Sequence, residues 1–291
     1  LALKTMLEET RRKVDERLEE YLPSPDGFGA RLHEAMGYAI ASGGKRLRPV
    51  LCLWVNDCLG GDREEVLPAA CALEMIHTYS LIHDDLPAMD DDDFRRGRPS
   101  CHKAFDEATA ILAGDGLLTQ AFEVVARHTP STDLVPGLVR VLARAAGPQG
   151  MVLGQMRDLE AEGRDPEIEV VKAIHEKKTA AMIAAAFEMG ALSARAPAGM
   201  QERMTRAGQW IGLAFQVIDD ILDIVATSEQ LGKTAGKDHE EQKMTYPAAV
   251  GLEASRTAAR EMTDRALDEL IPPDSFTPVR ELALYMMDRT F

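Results

Sequence analysis

Between one proline-centred break and the next, the apolar residues of this chain recur at three- and four-residue spacing, as in AACALEMIHTYSLIHDD, ILAGDGLLTQAFEVVARH and MTRAGQWIGLAFQVIDDILDIV. That spacing is the period of an α-helix and gives each segment one apolar face. Turn signals interrupt it at PSPDGFG, GGKRLRP, PSTD, GPQG, GRDP, RAPAG and IPPD, where glycine and proline break a helix. No apolar stretch alternates with period two between hairpin signals, so strands have no obvious home. With 291 residues, 45% of them hydrophobic, the chain can bury a sizeable core. Length alone hints at about two domains, but no composition shift, Ser/Gly linker or low-complexity tract marks a boundary. The sequence therefore predicts one all-α domain over residues 1–291, a bundle of about ten to twelve helices.

The formal net charge is −15, which repels nucleic acid and other polyanions over the surface at large. A ligand that carries phosphate needs a local basic pocket or bridging cations. No run approaches the roughly 18 apolar residues of a membrane span, and the N-terminal LALKTMLEETRRKVDERLEEYLP is too charged for a signal peptide. A cytoplasmic location is expected, with a short native stretch ahead of Leu1. Cys52, Cys58, Cys71 and Cys101 form no CxxC pair and sit among apolar neighbours, as thiols that fill a core do.

Against this background the stretch Ser80 to Pro99, SLIHDDLPAMDDDDFRRGRP, stands apart, with six aspartates inside ten residues followed by two arginines. It has a distant echo in IDDILD at Ile218 to Asp223. At 100° per residue, Asp219 and Asp223 fall one turn apart on one helix face, with Asp220 at its side. Val217, Ile218, Ile221, Leu222, Ile224 and Val225 are expected to bury the rest of that helix, so its carboxylates need a cation or a mouth of solvent. In the first cluster Asp84 and Asp85 end a helix that begins near Val66, and Pro87 turns Leu86 out of helical geometry. Asp90 then folds back towards Asp84. Magnesium takes few carboxylates, several waters and the ligand's own phosphate oxygens, so two facing carboxylate clusters suit magnesium diphosphate. Asp91, Asp92 and Asp93 read equally well as a solvated loop. The Asp-x-Asp-x-Asp-Gly pattern of a calcium loop is missing.

The basic counterpart is GGKRLRP, with Lys45, Arg46 and Arg48 beside two glycines, and FRRGRP, with Arg95, Arg96 and Arg98. Arginine forks bind phosphate oxygens in pairs and lysine gives a point charge. A KRLR run by itself is more often a solvated face. His77 lies two turns before Asp84 on the same face, either as a core histidine or as a donor to an anion. Further lysines stand in EKKTAAM, with Lys177, Lys178 and Thr179, and in LGKTAGKD, with Lys233 and Lys237. The latter lacks the spacing of a nucleotide-binding P-loop.

Taken together, GGKRLRP, EMIHTYSLIHDDLPAMDDDDFRRGRP, GQMRDLEAEG, EKKTAAMI, FQVIDDILD and LGKTAGKD with the following KMTYPAA resemble, in the same order, the short-chain trans-isoprenyl diphosphate synthases of the bacterial farnesyl type. The resemblance implies an isoprenoid synthase fold, helices around a deep central cavity, a homodimer and three magnesium ions. It implies that Asp84, Asp85, Asp90 and Asp219 hold magnesium on an allylic diphosphate, with Asp223 taking part directly or through water. Arg95, Lys178, Thr179, Gln216 and Lys233 would hold that diphosphate, the choice between Lys233 and Lys237 staying open. Lys45, Arg48, His77 and Arg96 would seat isopentenyl diphosphate, and Gln155 and Asp158 would line the cavity between them. The implied chemistry is head-to-tail condensation: the allylic carbon–oxygen bond ionises, the second substrate's double bond attacks, and the released diphosphate takes the proton. No nucleophilic serine or cysteine is required.

Product length should follow from depth beneath the first aspartates. Ser80 lies one turn, about 5.4 Å, below Asp84, with Tyr79 beside it as a bulky floor. By the same resemblance, Tyr79 and the Leu86-Pro87 type of insertion point to a fifteen-carbon product, with a geranylgeranyl synthase as the alternative. A terpene cyclase leaves GGKRLRP unexplained. A non-catalytic regulatory subunit typically loses an aspartate motif, and both are intact here.

Overall fold

In the computed structural model, residues 2–225 and 243–287 are described. They hold twelve helices of eight residues or more, in line with the sequence expectation. In chain order the helices are α1 (Ala2–Tyr21), α2 (Ala30–Ala41), α3 (Leu47–Cys58), α4 (Arg63–Asp84), the short α5 (Cys101–Ala104), α6 (Glu107–His128), α7 (Val135–Ala146), α8 (Met151–Ala161) and α9 (Ile168–His175). A π-helical turn, Glu176–Ala180, leads into α10 (Ala181–Ser193) and the long α11 (Ala198–Val225). The short α12 (Tyr246–Val250), α13 (Leu252–Glu269) and α14 (Thr277–Met287) follow. The turn signals of the sequence fall at helix boundaries, with one refinement: α3 already begins at Leu47, so Pro49 of GGKRLRP lies in its first turn. A missing N–H does no harm there, because first-turn amides have no intrahelical acceptor.

Helix α4 organises the bundle. It starts at Arg63, earlier than the sequence suggests, because the Asp62 side chain caps it by accepting from the Glu64 N–H at 3.0 Å. From Val66 to Ile76 the helix is buried on every side, as befits a helix walled in by others. Helices α3, α6 and α10 pack around it, with Trp54, Leu73, Leu117, Met182 and Phe187 among the fully buried side chains. Cys52, Cys71 and Cys101 are buried and Cys58 partly so, all as free thiols. Among the described residues one helix, α6, is long and apolar enough to cross a membrane by length and composition. It packs against α4 and α2.

A second apolar cluster joins Val171 and Ile174 of α9, Val217, Ile218, Ile221 and Leu222 of α11, Tyr246 and Ala259. It mounts the second aspartate motif between α9, α12 and α13. Two sequence expectations are corrected here. Ile224 and Val225 are exposed, at 54% and 45%, because the cluster grips α11 only as far as Leu222. Strands are also not wholly absent, since Phe94–Arg95 (β1) pairs antiparallel with Arg98–Pro99 (β2). The turn between them has positive φ at both central residues, 53° at Arg96 and 76° at Gly97, which is the twist that suits a two-residue hairpin.

Candidate active site

Helices α3, α4, α8 and α11, the π-helical turn and the β1–β2 hairpin enclose a cavity of about 1010 Å³. Of the residues singled out in the sequence, Lys45, Arg48, His77, Tyr79, Ser80, Asp84, Arg95, Arg96, Gln155, Lys178, Thr179, Gln216 and Asp219 line it. Asp85, Asp90 and Asp223 are not in its lining. Lys233 and Lys237 lie outside the described residues.

The acidic wall is built at the end of α4. Asp84 is its last residue and Asp85 its cap, and the chain then doubles back so that the Asp90 N–H donates to the Asp84 carbonyl at 2.8 Å. The Asp92 N–H likewise donates to the Asp85 carbonyl at 3.2 Å. Asp85 is buried and accepts from the Arg95 Nε at 2.9 Å, while a second Arg95 nitrogen reaches Asp92 at 3.2 Å. The Asp90 carboxylate meets the Lys243 ammonium at 3.2 Å. Burial pushes the Asp84 carboxyl up to about 6; Lys178 and Arg95 pull it down, and Asp90 and Asp85 push it further up. Asp223 is 3% exposed, and its Oδ1 is buried with no hydrogen-bond partner among the described residues. Beside this wall Asp91, Asp93 and His102 bring one ligand atom each within 4.8 Å of one another, with the Lys103 ammonium 2.8 Å from Asp93.

The donor set therefore fits magnesium. It offers hard carboxylate oxygens from the ends of two helices, one acid held up by burial and like charge, and a buried carboxylate oxygen lacking a donor.

The basic wall forms where GGKRLRP meets the hairpin tip. Arg96 donates to the Gly43 carbonyl, and its guanidinium fills the space a side chain at position 44 would need. Arg48 is 9% exposed, and its Nε has no partner among the described residues. Burial, then the charges of Arg48, Arg96, Arg95 and Arg46, hold His77 well below the usual imidazole range. It is neutral unless an anion arrives. Arg46 also borders the cavity, but its guanidinium is engaged: at 3% exposure it is bonded at 2.8 Å both to Asp15 and to the buried Glu74, and to the Ile40 carbonyl at 2.6 Å. It locks the loop, with Lys45 and Arg48 on either side of it in the cavity lining.

The third side comes from the π-helical turn, a geometry that often marks functional sites. Its Lys178 donates to Asp158 at 2.6 Å. Burial works against this ammonium, but Asp158, Asp84 and Asp90 outweigh it and its pKa rises. Asp158 is not in the cavity lining, contrary to the sequence expectation, and holds Lys178 from behind. Helix α8 reaches this turn because residue 154 is glycine: a Cβ there would lie 2.5 Å from the Lys178 Cα. The Thr179 hydroxyl donates to Gln216 Oε1 at 2.6 Å, and Gln216 Nε2 donates to Asp220 at 3.0 Å. Sequence reasoning missed His175, Lys243 and the part played by Asp220. These residues reach the site through contacts distant in sequence, which no spacing reveals.

Earlier along α4, Tyr79 and Ser80 also line the cavity. Tyr79 is 6% exposed, and its ring meets His83 edge-on at 5.7 Å. His83 Nε2 is 3.1 Å from the Ile111 carbonyl of α6.

The model of the polyprenyl synthetase family matches residues 30–272. The chain is 47% identical to heterodimeric geranylgeranyl pyrophosphate synthase large subunit 1, chloroplastic, of Arabidopsis thaliana, over 95% of this chain and 76% of that one. It is 46% identical to farnesyl diphosphate synthase of Geobacillus stearothermophilus, over 88% of this chain and 87% of that one. Among solved structures, the Helicobacter pylori geranyltransferase complexed with magnesium and isoprenyl diphosphate superposes with a TM-score of 0.86 at 31% identity, covering 98% of this chain and 96% of that one.

Proposed function

The chain belongs to the polyprenyl synthetase family, and on that footing we propose that it condenses isopentenyl diphosphate with dimethylallyl and then geranyl diphosphate to give farnesyl diphosphate. The observation that carries this reading is one cavity with two unlike walls, carboxylates at the end of α4 and on α11 against Lys45, Arg48, His77 and Arg96. Two diphosphates repel each other, so holding both in one cavity calls for two different devices. Asp84, Asp85, Asp90, Asp219 and Asp223 would hold the cations that serve the allylic one, and side-chain cations serve the other.

Three magnesium ions, when bound, neutralise the allylic diphosphate and lower the cost of its departure. Everything else falls to the chain itself. Arg95 and Lys178, with Lys233 from outside the described residues, hold the departing diphosphate where its charge develops. Arg48, Arg96 and Lys45 hold isopentenyl diphosphate, and the neutral His77 gains a proton or donates its N–H once that anion is seated. The oxygens of Thr179 and Gln216 face the allylic fragment as it becomes positive, and the apolar Met151, Met156, Leu159 and Phe215 keep water from it.

Residues 1–291 act as one domain in this reading, supported by α11, which contributes to both apolar clusters. A homodimer is part of it too, with the exposed Ile111 and Leu112 of α6 as an apolar face for a second copy. Tyr79 as the floor favours a fifteen-carbon product. A geranylgeranyl product is the second reading, favoured by the name of the Arabidopsis relative.

The test is incubation with magnesium, dimethylallyl diphosphate and excess isopentenyl diphosphate, followed by chain-length analysis of the dephosphorylated alcohols. Farnesol as the main product is the expected result. Geranylgeraniol would transfer the assignment to the second reading, and no elongation at all would refute both.

A further inference from the structure

Asp220 belongs to an aspartate-rich motif yet is turned away from the cavity that the motif serves. It is 3% exposed and absent from the cavity lining, whereas its neighbour Asp219 is part of that lining. Among the described residues, three donors face its two oxygens. Gln216 Nε2 donates to Oδ1 at 3.0 Å, the Tyr246 N–H donates to Oδ2 at 2.8 Å, and His175 Nε2 lies 3.2 Å from Oδ2. His175 is buried, stacks on the Tyr246 ring and closes α9 immediately before the π-helical turn that carries Lys178 and Thr179.

We propose that Asp220 and His175 are positioning residues that fix the polarity of the cavity wall formed by Gln216 and Thr179. The inference rests on the condensation reading above. A carboxylate only accepts hydrogen bonds, so Gln216 has one compatible orientation, with its NH₂ group towards Asp220 and its carbonyl towards Thr179. The Thr179 hydroxyl proton is then committed to that carbonyl at 2.6 Å. The oxygens of the pair then offer lone pairs to the cavity, and the second amide hydrogen of Gln216 stays on the nitrogen that is turned to Asp220. Oxygen lone pairs stabilise an allylic fragment that is becoming positive, and N–H donors in the same place oppose it. Asp220 thus sets the sign of a surface it does not touch. His175 holds Asp220 from the other side and ties the start of the π-helical turn to α11, which keeps Thr179 level with Gln216.

Asp220→Asn is nearly isosteric and reverses the arrangement. The two donors at Oδ2 leave the new NH₂ group no place but opposite Gln216. Gln216 must then turn its carbonyl to Asn and its NH₂ group to Thr179. The rate of the chemical step in single turnover is expected to fall about 100-fold, the scale of one positioned dipole at a developing charge. The KM for isopentenyl diphosphate and the magnesium concentration for half-maximal rate should stay within about twofold, and in a Gln216→Leu background the same substitution should cost almost nothing more, as expected when one residue acts through another. His175→Gln, which keeps a donor near the Nε2 position, should retain most of the rate, while His175→Leu should lose about tenfold. A magnesium requirement raised tenfold in Asp220→Asn would make Asp220 a metal ligand and overturn the proposal. So would losses that multiply in the double variant, or His175→Gln and His175→Leu behaving alike, a comparison that decides the matter even if Asp220→Asn does not fold. A wild-type chain that makes no condensation product would overturn the functional reading and this inference with it. A wild-type chain that does, with multiplying losses, would overturn this inference alone.

Discussion

Asp84→Asn should yield a protein that, freed of magnesium, melts at a higher temperature than the wild type and turns over at least about a thousandfold more slowly, the latter being several kcal/mol of lost charge stabilisation. Both effects come from one carboxylate. Burial holds the Asp84 carboxyl up at about 6, against an ordinary value of 3.8, so the folded chain binds this proton more tightly than the unfolded chain does. The stability this contributes is fully present below pH 3.8 and is lost as pH rises through about 6. At pH 7.5 the ionised group therefore weighs on the fold, by about 2 kcal/mol once its partial exposure is allowed for. Asparagine carries no such penalty. Magnesium reverses the order, because the cation stabilises the wild-type carboxylates and binds the variant poorly. Melting curves with chelator and with magnesium, at pH 7.5 and pH 5, check this. A variant less stable than the wild type in chelator at pH 7.5 would contradict the account of Asp84 as a strained acid awaiting a cation.

Tyr79→Ala should move the main product from fifteen carbons to twenty. The phenol ring lines the cavity with Ser80 and meets His83 edge-on, and His83 itself meets the Ile111 carbonyl of α6. A floor made by this ring is a braced one and not a mobile one. Burial, with Asp84 adding to it, pushes the Tyr79 hydroxyl up to about 12, so the side chain stays neutral and apolar towards a growing tail. Removing the ring opens the space beneath a fifteen-carbon chain and lets a further condensation compete with release. Tyr79→Phe keeps the ring and should keep the product. Chain-length analysis of the alcohols from both variants decides the point: if Tyr79→Ala still stops at fifteen carbons, another residue forms the floor.

What the sequence made legible was the part governed by local rules. Helices followed from apolar spacing, and most of their ends followed from glycine and proline, whereas the Asp62 cap that starts α4 at Arg63 was passed over. The bend between Asp84 and Asp90 followed from Pro87, because proline restricts the residue before it. Pairwise contacts over long distances were not legible. Arg46 and Arg48 look alike in GGKRLRP and both border the cavity, yet the first is consumed by Asp15 and Glu74 while the Nε of the second has no partner among the described residues. Asp219 and Asp220 are adjacent and chemically identical, and only the 100° between successive helical residues, set against Tyr246 and His175, separates their surroundings. The π-helical turn at Glu176–Ala180 has no periodic signature over so few residues. The small hairpin was the recoverable miss, since Arg-Gly between arginine-rich flanks can adopt positive φ at both positions.

The most direct test of the central claim, two diphosphates held at once by two different devices, is a calorimetric titration. Its ligands are isopentenyl diphosphate and an allylic diphosphate analogue whose carbon–oxygen bond cannot ionise, each with and without magnesium. The account predicts that each binds once per chain and that they bind together. It further predicts that the analogue needs magnesium, while isopentenyl diphosphate binds without it and is weakened by Arg48→Ala. Competition of the two ligands for one place, or binding of the analogue undiminished in chelator, would contradict it.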